Sequence, residues 1–144
     1  MNAKRIGLAL GAIVLAVIGF IAVKVMTPPP ADLDLALSKA SRAGHFRVSI
    51  APETGKAETG KLHNWIATVT LPDGKPVEGA DITIDGGMPQ HGHGLPTEPK
   101  MTASLGEGRY KIEGVRFNMG GWWEFRLSIT AAGMQDVADF NLVF

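Results

Sequence analysis

The hydrophobic pattern changes character twice along the chain. Residues 6–23 form an uncharged run of eighteen apolar and glycine positions, bounded by Lys4-Arg5 and Lys24. At about 1.5 Å rise per residue this run makes a helix of about 27 Å, close to the roughly 30 Å hydrocarbon core of a bilayer. Val25 and Met26 extend it if Lys24 snorkels to the interface. The run is longer than the roughly 7–15-residue apolar region of a cleaved signal peptide, and Val23-Lys24-Val25 is a poor cleavage site. Ser41-Arg42-Ala43 has suitable residue sizes but lies far downstream. A retained transmembrane helix over residues 1–26 is therefore expected. Its basic end faces the cytoplasm and residues 27–144 the far side, which in a bacterial inner membrane is the periplasm.

Pro28-Pro29-Pro30 ends that helix and begins a stiff stretch. Residues 32–42 place acids first and bases last, as suits a short helix and its dipole, with Gly44 as its C-cap. Residues 27–44 read as a Pro-rich, partly helical linker.

From residue 45 the dominant period is two. Trp65, Ala67, Val69 and Leu71 share one face of a strand, against Asn64, Thr68 and Thr70. Pro72-Asp73-Gly74 is a turn signal. Over residues 77–85, Ala80, Ile82 and Ile84 alternate with Asp81, Thr83 and Asp85. Residues 86–99 read as a loop rich in Gly and Pro. Met101, Ala103 and Leu105 point inward, followed by Tyr110 and Ile112, then by Trp123, Phe125, Leu127, Ile129 and Ala131. A last strand ends in Phe140, Leu142 and Phe144. About seven short strands in about 100 residues, separated by frequent turns, predict an all-β, immunoglobulin-like antiparallel sandwich over residues 45–144. Trp65, Ile82, Ile84, Tyr110, Trp123, Phe125 and Leu127 are its expected core.

Composition narrows the function. The 144 residues contain no Cys, which removes disulfides, thiolate nucleophiles and zinc fingers. Fourteen bases balance fourteen acids, so the chain lacks the basic surplus that nucleic acid requires. Residues 1–44 carry +3 and residues 45–144 carry −3. The acids are scattered over turns and exposed faces, no Ser stands in a nucleophile elbow, and the chain is not expected to be an enzyme.

The distinctive chemistry lies in Met88-Pro89-Gln90-His91-Gly92-His93. In extended chain, residues i and i+2 point the same way, so the imidazoles of His91 and His93 can meet one ion. A second turn, Phe117-Asn118-Met119-Gly120-Gly121-Trp122-Trp123, offers the Met119 thioether. Imidazole plus thioether without thiolate suits copper, Cu(I) above all. His45 and His63 read as ordinary strand residues, Met101 and Met134 as packing. Trp123 reads as core, and Trp122 as a surface residue or a cover over the loop.

Gly74-Lys-Pro-Val-Glu-Gly-Ala80, Met88-Pro-Gln-His-Gly-His93, Gly106-Glu-Gly-Arg-Tyr110 and Phe117-Asn-Met119-Gly-Gly-Trp122 together resemble the YtkA-like domain, related to the FixH proteins. The resemblance covers residues 64–144. It implies a membrane-anchored or secreted bacterial sandwich domain linked to copper handling and to assembly of haem-copper oxidases, with Met88, His91, His93 and Met119 as metal residues. The leading expectation is a periplasm-facing copper-binding protein that stores copper or delivers it to a membrane partner. The rival is a non-metal accessory domain that docks on a membrane complex through the His-Gly-His loop.

Overall fold

The period-two segments become strands because their alternating side chains can bury one face and solvate the other. The computed structural model describes residues 3–26 and 28–144, and within the N-terminal helix the side chains of residues 9–20. Helix α1 spans Ala3–Met26. Among the described residues nine strands follow: β1 (Ser38–Ala40), β2 (Arg47–Pro52), β3 (Leu62–Thr70), β4 (Asp81–Met88), β5 (His93–Gly94), β6 (Lys100–Gly106), β7 (Arg109–Arg116), β8 (Trp122–Ala131) and β9 (Met134–Val143). They form two antiparallel sheets, ordered β1-β2-β3-β7-β6 and β5-β4-β8-β9. Without β1 and β5 these orders are the A-B-E-D and C-F-G sheets of an immunoglobulin-type sandwich.

The inner faces meet in one apolar core. Of the seven expected core residues, Trp65, Ile82, Tyr110, Trp123, Phe125 and Leu127 are buried, and Ile84 is partly buried against them. The buried Tyr110 hydroxyl donates to the Val77 carbonyl and accepts from the Ala80 N–H at 3.0 Å, which fixes the chain before β4. Phe117 plugs one end of the core. Its ring lies 5.4 Å from Trp123, 6.1 Å from Phe125, 6.2 Å from Trp65 and 4.6 Å from Phe144, centroid to centroid.

Four local expectations change. The helix expected over residues 32–42 is absent: β1 pairs with β2, Lys39 opposite Val48, so the sheet begins before residue 45. The chain then crosses to the other sheet, where the Arg42 N–H donates to the Val137 carbonyl at 2.8 Å. Buried Asp136 holds this crossing. It accepts from Ser41 Oγ at 2.6 Å and from the N–H groups of Ala43 at 3.0 Å and His45 at 3.2 Å. Residues 86–99 are not all loop, since β4 continues through Met88 and returns as β5. Leu105 is exposed rather than inward, because the β6–β7 register shifts between Met101 and Ala103 and again between Ser104 and Gly106.

Helix α1 presents exposed apolar side chains all round over residues 9–20 and buries none of them against the sandwich. Among the described residues, no helix is long and apolar enough to cross a membrane. The expected span covers residues 6–26, and the side chains of residues 6–8 and 21–26 lie outside the described ones.

Candidate functional site

Strand direction decides which turns meet. β3 runs from Leu62 to Thr70, and its antiparallel partners place Arg116 beside Leu62 and Arg109 beside Thr68. β4 runs toward Met88 and pairs with β8 so that Gly87 faces Glu124 near the start of β8. The hairpin after β4 and the turn before β8 therefore share one pole, opposite the Pro72-Asp73-Gly74 turn.

Two glycines shape the hairpin. A Cβ on Gly86 would stand 2.3 Å from the Glu124 carbonyl oxygen, and one on Gly87 would stand 2.3 Å from the His93 carbonyl oxygen. The end of β4 is thus pressed between β8 and β5 at a separation that no larger residue allows. The turn closes as the Met88 carbonyl accepts from the His91 N–H at 3.1 Å and the Gly92 N–H at 2.9 Å. Gly92 turns with φ at +69°, in the left-handed region that glycine enters without strain.

The hairpin brings the two imidazoles together. The His91 and His93 rings have centroids 5.9 Å apart and are tilted by 42°. With metal–nitrogen bonds of about 2.0–2.1 Å, two imidazoles on one ion place their centroids at most about 6.4 Å apart. The pair lies within that limit. His93 Nδ1 is 3.0 Å from the Gly94 carbonyl oxygen. A carbonyl only accepts, so Nδ1 donates here, and in the neutral ring Nε2 is the nitrogen with the lone pair. The His93 ring meets Trp123 edge-on at 5.7 Å. Trp123 Nε1–H donates to the Met119 carbonyl at 3.0 Å, fixing the backbone of the second turn.

The thioethers occupy different depths. Met119 is 37% exposed on the turn. Met88 is 1% exposed and belongs to the core, its terminal methyl 2.8 Å from where a Cβ on Gly121 would be. The four expected residues therefore gather at one pole, with Met88 beneath and the histidines and Met119 above. Among the described residues, no three His, Asp or Glu side chains are placed to hold a metal ion together.

A groove of about 380 Å³ opens beside His93, lined also by Gly87, Met88, Glu124 and Arg126. The Arg126 guanidinium lies 2.8 Å from Asp139, 3.6 Å from Glu124 and 3.7 Å from Asp85. Burial pushes the Asp139 carboxyl up, but hydrogen bonds from Arg42 and Arg126 outweigh it and hold the group below the usual carboxylate range.

The remaining candidates stand elsewhere. His63 Nε2 lies 2.8 Å from the Glu58 backbone nitrogen and 2.9 Å from its carbonyl oxygen, and His45 Nδ1 lies 3.8 Å from Asp136. Met101 and Met134 pack against the core. Trp122 donates to Asn141 Oδ1 at 3.0 Å, while Trp123, read from sequence only as core, is the ring that flanks the site. Phe117 and the close approach at Gly87 are further parts of the site. Their sequence signals were an aromatic two residues before Met119 and a paired glycine just before Met88.

A family profile described as YtkA-like matches residues 40–128. The match begins within β1 and includes Met88, His91, His93 and Met119. Among solved structures, the chain resembles the crystal structure of a DUF4426 family protein from Pseudomonas aeruginosa PAO1. The TM-score is 0.53 at 16% identity, over 75% of this chain and 94% of that one. This likeness concerns the fold. No curated protein matches the chain.

Proposed function

The chain belongs to the YtkA-like family, and from that premise we propose that it is a membrane-anchored copper-binding protein that hands its cargo to a membrane partner. The observation that carries this reading is the histidine pair. Two imidazoles stand 5.9 Å apart, and the Gly94 carbonyl fixes the tautomer of one of them. His91 and His93 are the nitrogen donors, Met119 adds a thioether from above, and Met88 adds one from beneath. This soft and borderline set favours Cu(I). A hairpin end also suits transfer rather than redox catalysis, because an acceptor can approach His93 and Met119, which are exposed.

The anchor is helix α1. Its described apolar side chains, residues 9–20, face outward on every side, which suits a lipid surrounding rather than a protein core. The basic end then lies in the cytoplasm and the sandwich in the periplasm of a bacterial inner membrane. The partner in this reading is a copper-accepting membrane protein, such as a haem-copper oxidase during assembly.

Anaerobic titration of the full chain in detergent against a coloured Cu(I) chelator tests the proposal. One Cu(I) should bind per chain, and His91→Ala with His93→Ala should abolish tight binding while leaving the fold intact. If the double variant competes for Cu(I) as well as the parent, the metal reading fails, and docking through the hairpin becomes the better account.

A further inference from the structure

We infer that the pole carrying His91 and His93 faces the bilayer surface, an orientation that rests on reading α1 as the anchor. The Gln90 side-chain amide, between Pro89 and His91, donates to the Pro28 carbonyl at 3.0 Å. Pro28 is two residues beyond Met26, the last residue of α1. Two residues span at most about 7 Å, so the hairpin is within a short step of the helix end.

The path of the chain after Pro28 agrees. The Asp34 carbonyl accepts from Asn141 Nδ2 at 3.0 Å, near the pole end of β9. The Arg42 N–H then reaches Val137, several residues back toward the opposite pole. The chain thus enters at the hairpin pole and travels away from it. The same pole exposes Leu62 at 65%, Val143 at 48% and Met119 at 37%, apolar side chains suited to the interfacial layer of a membrane. A copper acceptor reaching His91 and His93 would therefore present its own donors at the bilayer surface, as a membrane-embedded protein does.

The chain has no Cys, so single labels can be placed cleanly. Asn118→Cys and Asp73→Cys put a dye at the hairpin pole and at the opposite turn. β3, which runs between the poles, is nine residues long. At about 3.3 Å per residue it separates the labels by about 30 Å. The labelled full chains are reconstituted into phosphatidylethanolamine–phosphatidylglycerol vesicles containing a lipid with a quencher on its headgroup. The Asn118 dye should be quenched at least threefold more than the Asp73 dye, and Gln90→Ala should narrow the difference. Equal quenching, or stronger quenching at Asp73, in chains that stay with the vesicles overturns the orientation alone. Chains that do not stay with the vesicles overturn the anchor reading and the orientation together.

Discussion

Asp136→Asn should cost about 2–4 kcal/mol at neutral pH, a large part of the roughly 5–15 kcal/mol that holds a domain of this size together. The carboxylate is buried and accepts from Ser41 Oγ at 2.6 Å and from the N–H groups of Val137 at 2.8 Å, Ala43 at 3.0 Å and His45 at 3.2 Å. Hydrogen bonds to a charged group contribute about 1.5–3 kcal/mol each, and an amide keeps one acceptor oxygen while turning donors toward donors. Burial alone would raise the carboxyl's pKa. The bonds from Ser41, Ala43, Val137 and His45 outweigh it and hold the group well below the usual carboxylate range. A folded-state value below the unfolded value of about 3.9 means that the charged form stabilises the fold above that pH. The stabilisation is lost as pH falls below about 4 toward the folded value. Urea unfolding of the full chain in mild detergent, followed by tryptophan fluorescence, measures this. The gap between parent and variant should shrink as pH falls below about 4. Other paired carboxylates titrate in both proteins, so the gap isolates this one. A gap unchanged at pH 2.5 would refute the assignment of the stability to this charge.

Leu127→Ala removes a buried side chain facing the opposite sheet and should cost about 2–5 kcal/mol, whereas Glu124→Ala on the outer face should cost under about 1 kcal/mol. Equal urea midpoints for the two would mean the inward face is misassigned. Trp65→Phe should cost less than Leu127→Ala, because it also removes a buried indole N–H that has no hydrogen-bond partner; thermal melts rank the two. Gly87→Ala should lower Cu(I) affinity at least tenfold, since its methyl group would collide with the His93 carbonyl; competition titration reads the loss, and parental affinity would sink the hairpin argument. Met88→Leu keeps the core volume and should cost under about 1.5 kcal/mol, while weakening Cu(I) more than Cu(II) in paired titrations.

The core was largely legible from sequence because β3 alternates from Asn64 to Thr70 and β8 through all ten of its residues, and such a pattern buries one face wherever the strands pair. β1 was not legible. The charges of residues 32–42 order themselves as in a helix, and only pairing with β2 makes residues 38–40 a strand. Gly86 and Gly87 read as loop because glycine weakens an isolated strand, yet here the neighbouring backbones leave room for nothing else. Leu105 kept the period in sequence and lost it in space at two register shifts. The Ser41–Asp136 bond joins residues 95 apart, for which no local pattern exists. Met88 and the histidines were visible as a motif, but their different depths come from the strand end that buries one and the turn that lifts the others.

β9 is ten residues long and forms the outer edge of its sheet. The segment from Asp34 to Arg42 runs beside it and touches it at both ends, while β1 covers the edge of β2. A bare edge of that length is a template on which a second chain can add a strand. A protease that cut near residue 44 would therefore uncover two sticky margins at once and discard the Ser41 hydroxyl that Asp136 needs. The released fragment should self-associate rather than diffuse away as a working monomer. The segment before residue 44 would then serve as a guard against aggregation, and cutting it would inactivate the protein irreversibly.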